Sequence, residues 1–222
     1  INNKLERVRN SGRVSELSDK VQSLKMHSSL GIAHTRWATH GAPLERNAHP
    51  HVSHDGIALV HNGIIENHDV LREEMIAAGY EIQSDTDSEV IAHLIHQQLE
   101  TCTDLREAVN KTIARLKGAY ALGVMADEYP GLIIGARSGS PLVVGVGMDE
   151  HFIASDEMAL SQVTDRFVYL EEGDVVELSS EAYAVFGANG KAVNRELLQL
   201  SETDEVADKV QYRNFMQKEM FE

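Results

Sequence analysis

From Ala119 to Gly190 the chain breaks into six short apolar runs, AYALGVMAD, GLIIGAR, PLVVGVG, HFIAS, RFVYLEEGDVVEL and AYAVFGANG, punctuated by Gly, Asp, Asn and Pro. Runs of this length between turn-forming residues predict antiparallel strands. GANG, residues 187 to 190, reads as a hairpin tip, and a short helix over 156–162, starting from Ser155 or Asp156, interrupts the series. Helical stretches precede the strands, which is not the strict strand-helix alternation of a doubly wound sheet. Layers of antiparallel sheet with helices packed outside are the architecture this order predicts.

Upstream, Val14, Leu17, Val21 and Leu24 recur at helical spacing and predict an amphipathic helix over 13–26. SLGIAHTRW, residues 29 to 37, reads as a short strand, and 38–55, with Gly41, Pro43 and Pro50 and no periodicity, as a long surface loop. GIALVHNG reads as a buried strand and NHDVLREEMIAAG as a helix closed by Gly79. Two further helices follow. TDSEVIAHLIHQQLE opens with Thr86 and Glu89 at capping-box spacing, and TDLREAVNKTIARLKG runs from Thr103 and Asp104 to Gly118.

At 222 residues the chain is long enough for a substantial core, read here as one domain over 1–210 followed by a linker over 211–222. A formal charge of -15 argues against a nucleic-acid partner, because phosphate binding needs Lys/Arg-rich surfaces. The single cysteine, Cys102, excludes an internal disulfide and fits a reducing cytoplasm. No stretch approaches the ~20 apolar residues that cross a bilayer. The opening at Ile1 reads like mid-domain sequence, so a segment before it is expected.

Seven of the eleven histidines lie between His34 and His68, namely His34, His40, His49, His51, His54, His61 and His68. Such a cluster suggests a metal-dependent hydrolase, but no His-Glu-x-x-His helix is present and hydrogen-bonded structural histidines are the plainer reading. HTRWATHG puts a guanidinium, an indole and a hydroxyl together where a strand ends. Arg36 suits a carboxylate, since its fork donates two parallel hydrogen bonds, and Trp37 suits a pocket wall. Equally, Arg36 fits a surface ion pair and Trp37 a core. Asp87 falls at a helix start, where free N–H groups stabilise a carboxylate, or where it can take a substrate ammonium. Asn62-Gly63 is a strong hairpin signal. The helix that follows leaves little room for a returning strand, and the alternative is a strand-to-helix turn whose Asn62 amide and Gly63 N–H form an oxyanion hole. Such a hole needs a nucleophile. Cys102 lies between two predicted helices with nothing beside it to activate a thiolate, and RSGSPL, residues 137 to 142, lacks the Gly-x-Ser-x-Gly pattern.

HTRWATHG, NAHPH, LVHNGIIEN, SDTDSEVIAHL, LKGAYAL, ARSGSPLVVGVG, FIASDEMAL and YLEEGDVVEL, in this order, resemble the glutaminase (class II glutamine amidotransferase) domain of the glutamine-fructose-6-phosphate aminotransferase family, the glucosamine-6-phosphate synthases. The resemblance runs from about Gly12 to the end, and YRNFMQKEMFE is similar to the linker into the family's isomerase domains. It implies an α+β fold, a four-layer αββα sandwich of the N-terminal nucleophile hydrolase type with its first strand-helix-strand segment missing. It implies hydrolysis of L-glutamine to L-glutamate and ammonia without a cofactor or metal, the ammonia passing to fructose 6-phosphate in a homo-oligomeric cytoplasmic parent. It assigns Arg36 to the glutamine α-carboxylate, Asp87 to the α-ammonium, Trp37, Thr39 and His40 to a closing loop, and Asn62 with Gly63 to the oxyanion hole. The family's nucleophile is an N-terminal cysteine that precedes the region matching Ile1. The chain as given is therefore expected to be inactive by itself, or to serve as a non-catalytic glutamine- or glutamate-binding fragment.

Overall fold

The computed structural model describes residues 4–54 and 56–200; the expected linker over 211–222 lies outside them. Among the described residues there are four helices: α1 (Val14–Ser23), α2 (His68–Ala77), α3 (Ser88–Leu99) and α4 (Leu105–Ile113). The strands are β1 (His51–Ser53), β2 (Ile57–Ile65), β3 (Gly118–Ala126), β4 (Ile133–Ser138), β5 (Val143–Val146), β6 (His151–Ala154), β7 (Arg166–Tyr169), β8 (Val175–Leu178), β9 (Tyr183–Phe186), β10 (Ala192–Val193) and β11 (Leu197–Gln199). They form a seven-stranded sheet, β1-β2-β3-β4-β8-β9-β10, and a four-stranded sheet, β11-β7-β5-β6, both antiparallel.

The central strand β3 shows why its sequence is apolar without alternation. Leu122 and Val124 join Ile91, Leu94, Ile95 and Val109 of α3 and α4 in one core. Ala121 and Met125, on the opposite pleat, join Val144, Val168 and Leu170 in a second core between the sheets. Both faces are covered, so both sets of side chains are apolar. Gly123 and Gly135 sit opposite each other in the β3–β4 ladder. A Cβ on Gly123 would lie 3.1 Å from Ile153 Cδ1 of the smaller sheet, so the bare backbone there lets the sheets approach. On the far face of the smaller sheet, Leu160 and Thr164 cover Gly145, in a segment whose helical part is a 3₁₀ turn, Glu157–Ala159. Helices, sheet, sheet and this short helical cover give the expected layer order.

Helix starts and stops follow their local chemistry. Asp104 caps α4 by accepting from Glu107 N–H at 2.7 Å, while Glu107 Oε2 accepts from Thr103 N–H at 3.1 Å. Replacing Asp104 with Ala is expected to cost about 1 kcal/mol in urea denaturation. Gly79 closes α2, with Tyr80 N–H donating to Met75 O and Gly79 N–H to Ile76 O.

Four expectations change. Residues 29–37 form no ladder, although Leu30, Ile32, His34 and Arg36 alternate in burial with exposed neighbours as a strand would. Leu30 and Ile32 pack on the inter-sheet core, so side-chain alternation is present without a paired neighbour. The expected loop 38–55 contains β1, because His51 and Ser53 turn inward against β2. The run 166–178 is two strands in different sheets, divided at a turn where Asp174 N–H donates to Glu171 O. Finally, α4 ends at Ile113, short of Gly118, which starts β3.

Candidate active site

Asn62-Gly63 is neither a hairpin tip nor a strand-to-helix turn: it lies inside β2, opposite Ala121 and Tyr120 of β3. Ladder phase decides which N–H groups are engaged. Glu66 N–H donates to Lys117 O, so even-numbered N–H groups of β2 point to β3 and odd-numbered ones point away. On the odd side, His61 N–H donates to His49 Nδ1 at 3.4 Å and Ile65 N–H to Asp87 Oδ2 at 2.8 Å. Between them, Gly63 N–H is turned away from β3 by the same ladder phase. Asn62, on the pleat opposite His61, is exposed, and its amide has no hydrogen-bond partner among the described residues. Gly63 has φ +140°, and a Cβ there would lie 2.1 Å from Ala119 O.

Asp87 stands at the N-cap of α3 but does not cap it. Its carboxylate is 4 % exposed, accepts from Ile65 N–H across the gap to β2, and takes a weaker bond from Ser88 Oγ at 3.3 Å. Ser88 Oγ also meets His61 Nδ1 at 2.9 Å, which ties the helix start to the strand a second time. The capping box is modified: Thr86 Oγ1 accepts from Glu89 N–H at 3.4 Å, but Glu89 reaches back to the N–H groups of Gln83 and Ser84. Burial by itself would raise the Glu89 carboxyl; His93, 3.7 Å away, with Ser84 and Gln83, outweighs it and brings the pKa to about 2.

Arg36 faces its own loop. Its guanidinium donates to Ala42 O and Gly41 O, each at 3.2 Å, and to His40 O. Trp37 is 77 % exposed and Thr39 is exposed on the same loop. The His40 ring lies 4.8 Å from that of His68, whose Nδ1 donates to Ile65 O at 2.8 Å. The loop is thereby held beside the end of β2. A second tie is Asn47, fully buried, which donates to Ala42 O and accepts from Asp85 N–H. Arg36, His40, Asn62, Gly63 and Asp87, scattered over 52 positions, are thus connected around one strand end.

Most of the histidines behind this site are buried and engaged. His51 Nε2 meets Thr86 Oγ1, His49 accepts from His61 N–H, and the rings of His34, His49 and His51 follow one another at 4.3 and 4.8 Å. Burial is the main cause that pushes His34 down to about 4 and His51 to about 3, and it lowers His49 and His61 as well. These imidazoles are neutral. Among the described residues no three His, Cys, Asp or Glu side chains are grouped to hold a metal ion. Cys102 follows the C-terminal end of α3, a helix of roughly 18 Å that starts beside Asp87.

The sequence alone did not single out Asn47, Ser88 or the role of His61. Their partners are backbone atoms or side chains 5 to 38 residues away, which no local pattern marks.

A family described as a glutamine amidotransferase domain matches residues 34–162. A glutamine–fructose-6-phosphate aminotransferase (isomerizing) of Pseudomonas syringae pv. tomato is 54% identical over 98% of this chain, and that of Pseudomonas putida is 52% identical over 100%. The chain spans 36% of the length of each. Among solved structures, glutamine phosphoribosylpyrophosphate amidotransferase of B. subtilis, complexed with ADP and GMP, superposes with a TM-score of 0.59 at 26% identity, covering 70% of this chain and 34% of that one.

Proposed function

The chain belongs to the glutamine amidotransferase domain family, and from that premise we propose that it is the glutaminase portion of an enzyme that transfers ammonia from L-glutamine to fructose 6-phosphate. The names of the relatives support this reading, and the observation that carries it is the Gly63 N–H, turned away from β3 by ladder phase, beside the exposed Asn62 amide. Two donors on consecutive residues suit an oxygen that gains negative charge as an amide carbon becomes tetrahedral. Arg36 binds the α-carboxylate, which displaces neutral loop carbonyls as the stronger, charged acceptor. Asp87 takes the α-ammonium, and the loop of Trp37, Thr39 and His40 closes over the bound amino acid. The attacking thiolate is assigned, through the family resemblance, to an N-terminal cysteine. It forms a thioester as ammonia leaves, and water then releases glutamate.

Among the described residues no helix is long and apolar enough to cross a membrane. Cytoplasmic placement rests on the single cysteine, and a homo-oligomeric parent on the family resemblance.

Calorimetric titration with L-glutamate tests the pocket. The chain is expected to bind it, and Arg36→Ala to weaken binding by roughly 10- to 100-fold, the worth of a charge-assisted pair. Equal affinity for the variant would remove Arg36 from the pocket.

A further inference from the structure

NAHPH attracts notice for its histidines, yet its first residue makes the more consequential contacts. Asn47 is fully buried within a single 3₁₀ turn, Glu45–Asn47. Its Nδ2 donates to Ala42 O and to Asp85 Oδ2, both at 3.0 Å, and its Oδ1 accepts from Asp85 N–H at 2.9 Å. Ala42 O is also held by Arg36. Asp85 lies two residues before Asp87, in the turn whose Ser84 and Thr86 hydroxyls meet at 2.9 Å. One amide therefore joins the loop that carries the cation to the turn that carries the anion. Packing supports the joint, because a Cβ on Gly41 would lie 2.8 Å from Asn47 Nδ2 and 2.9 Å from Asp85 Cβ.

We propose that Asn47 is a positioning residue that fixes the spacing between Arg36 and Asp87, and with it the preference of the pocket for a ligand carrying both an α-carboxylate and an α-ammonium. This inference rests on the glutaminase reading above. Asn47 does not touch the ligand; it acts through Ala42 and Asp85. An amide is needed because it must donate toward one side and accept from the other, which neither Asp nor a hydroxyl of similar reach does in full.

The test compares L-glutamate with glutarate, the same diacid without the ammonium. Trp37, the one tryptophan and largely exposed on the loop, supplies a fluorescence signal for both titrations. Asn47→Asp keeps the shape and the bond from Asp85 N–H, removes both donors and sets a carboxylate against that of Asp85. The glutamate-over-glutarate preference is expected to fall at least about tenfold. Asp85→Ala removes one of the three bonds at an exposed side chain and is expected to reduce the preference about threefold, which guards against misfolding of the first variant. A merely structural role predicts equal weakening for both ligands. Preference unchanged in both variants would overturn the role of Asn47. Arg36→Ala in the same series reads the underlying site: if it binds both ligands as tightly as the parent sequence, the pocket reading itself fails.

Discussion

Asn62→Ala is expected to lower the kcat for glutamine hydrolysis by the full-length protein by roughly 10²–10³, with KM changed little, the cost of deleting one oxyanion donor. Stability should hardly move, because the Asn62 side chain is exposed and its backbone pairing with Ala121 survives the substitution. Gly63→Ala separates the neighbouring roles. Its Cβ would lie 2.1 Å from a backbone oxygen, at a positive φ that side chains rarely adopt, so β2 or β3 must shift. A loss of roughly 3 kcal/mol or more in urea denaturation is expected for that variant. Steady-state kinetics and denaturation of both variants check the pair. An Asn62→Ala enzyme with full kcat would exclude its amide from charge stabilisation.

Between pH 7 and pH 5 the fold is expected to lose a large part of its stability. His34, with its pKa pushed down to about 4 chiefly by burial, and His51, pushed down to about 3, are neutral in the folded chain. The direction is the same for His49, where burial is followed by the nearby imidazoles of His51 and His34, and for His61. In the unfolded chain each titrates near 6.5. Below that pH the unfolded state takes up protons that the folded state refuses, so stability is present above about 6.5 and is lost as pH falls toward the folded values. For His34 and His51 the loss is about 2 kcal/mol each by pH 5, and His49 and His61 add to it in the same direction. A typical domain has only ~5–15 kcal/mol in total. Glu89 acts lower: its carboxyl, held to about 2, gives stability that is present above about 4.5 and lost as pH falls toward 2. Urea denaturation at pH 7.5, 6 and 5 measures the slope, and His51→Asn should flatten it by about 1.4 kcal/mol per pH unit. A midpoint that does not move over this range would mean the imidazoles titrate in the fold as they do in the unfolded chain.

Much of the architecture is legible in local pattern. The Asp104 cap and the Gly79 stop are read from a few adjacent residues, and the structure places each where the sequence does; of Ser155 and Asp156, both offered as a start, the structure uses Asp156, whose Oδ1 accepts from Met158 N–H. The errors occur where a partner decides. Residues 29–37 have the alternation of a strand but no ladder, and HVS at 51–53 is too short to be recognised until β2 lies beside it. RFVYLEEGDVVEL looks like one run because a tight turn at Glu171–Asp174 is hidden among strand-compatible residues.

The site divides in the same way. By itself the sequence determined the kinds of groups available: a forked cation at Arg36, a carboxylate at a helix start at Asp87, and an amide next to a glycine at 62–63. These follow from side-chain chemistry and from motifs that resemble a known family. Only the tertiary structure decided which of them are engaged. It made Asn62-Gly63 part of a strand, turned Gly63 N–H away from β3 through the ladder phase, and turned Asp87 from a cap into a bridge to Ile65. It also gave Asn47 its place between two segments 43 residues apart. Hydrogen-bond saturation is a property of contacts between distant segments, and one sequence records the donors and acceptors without recording which of them meet.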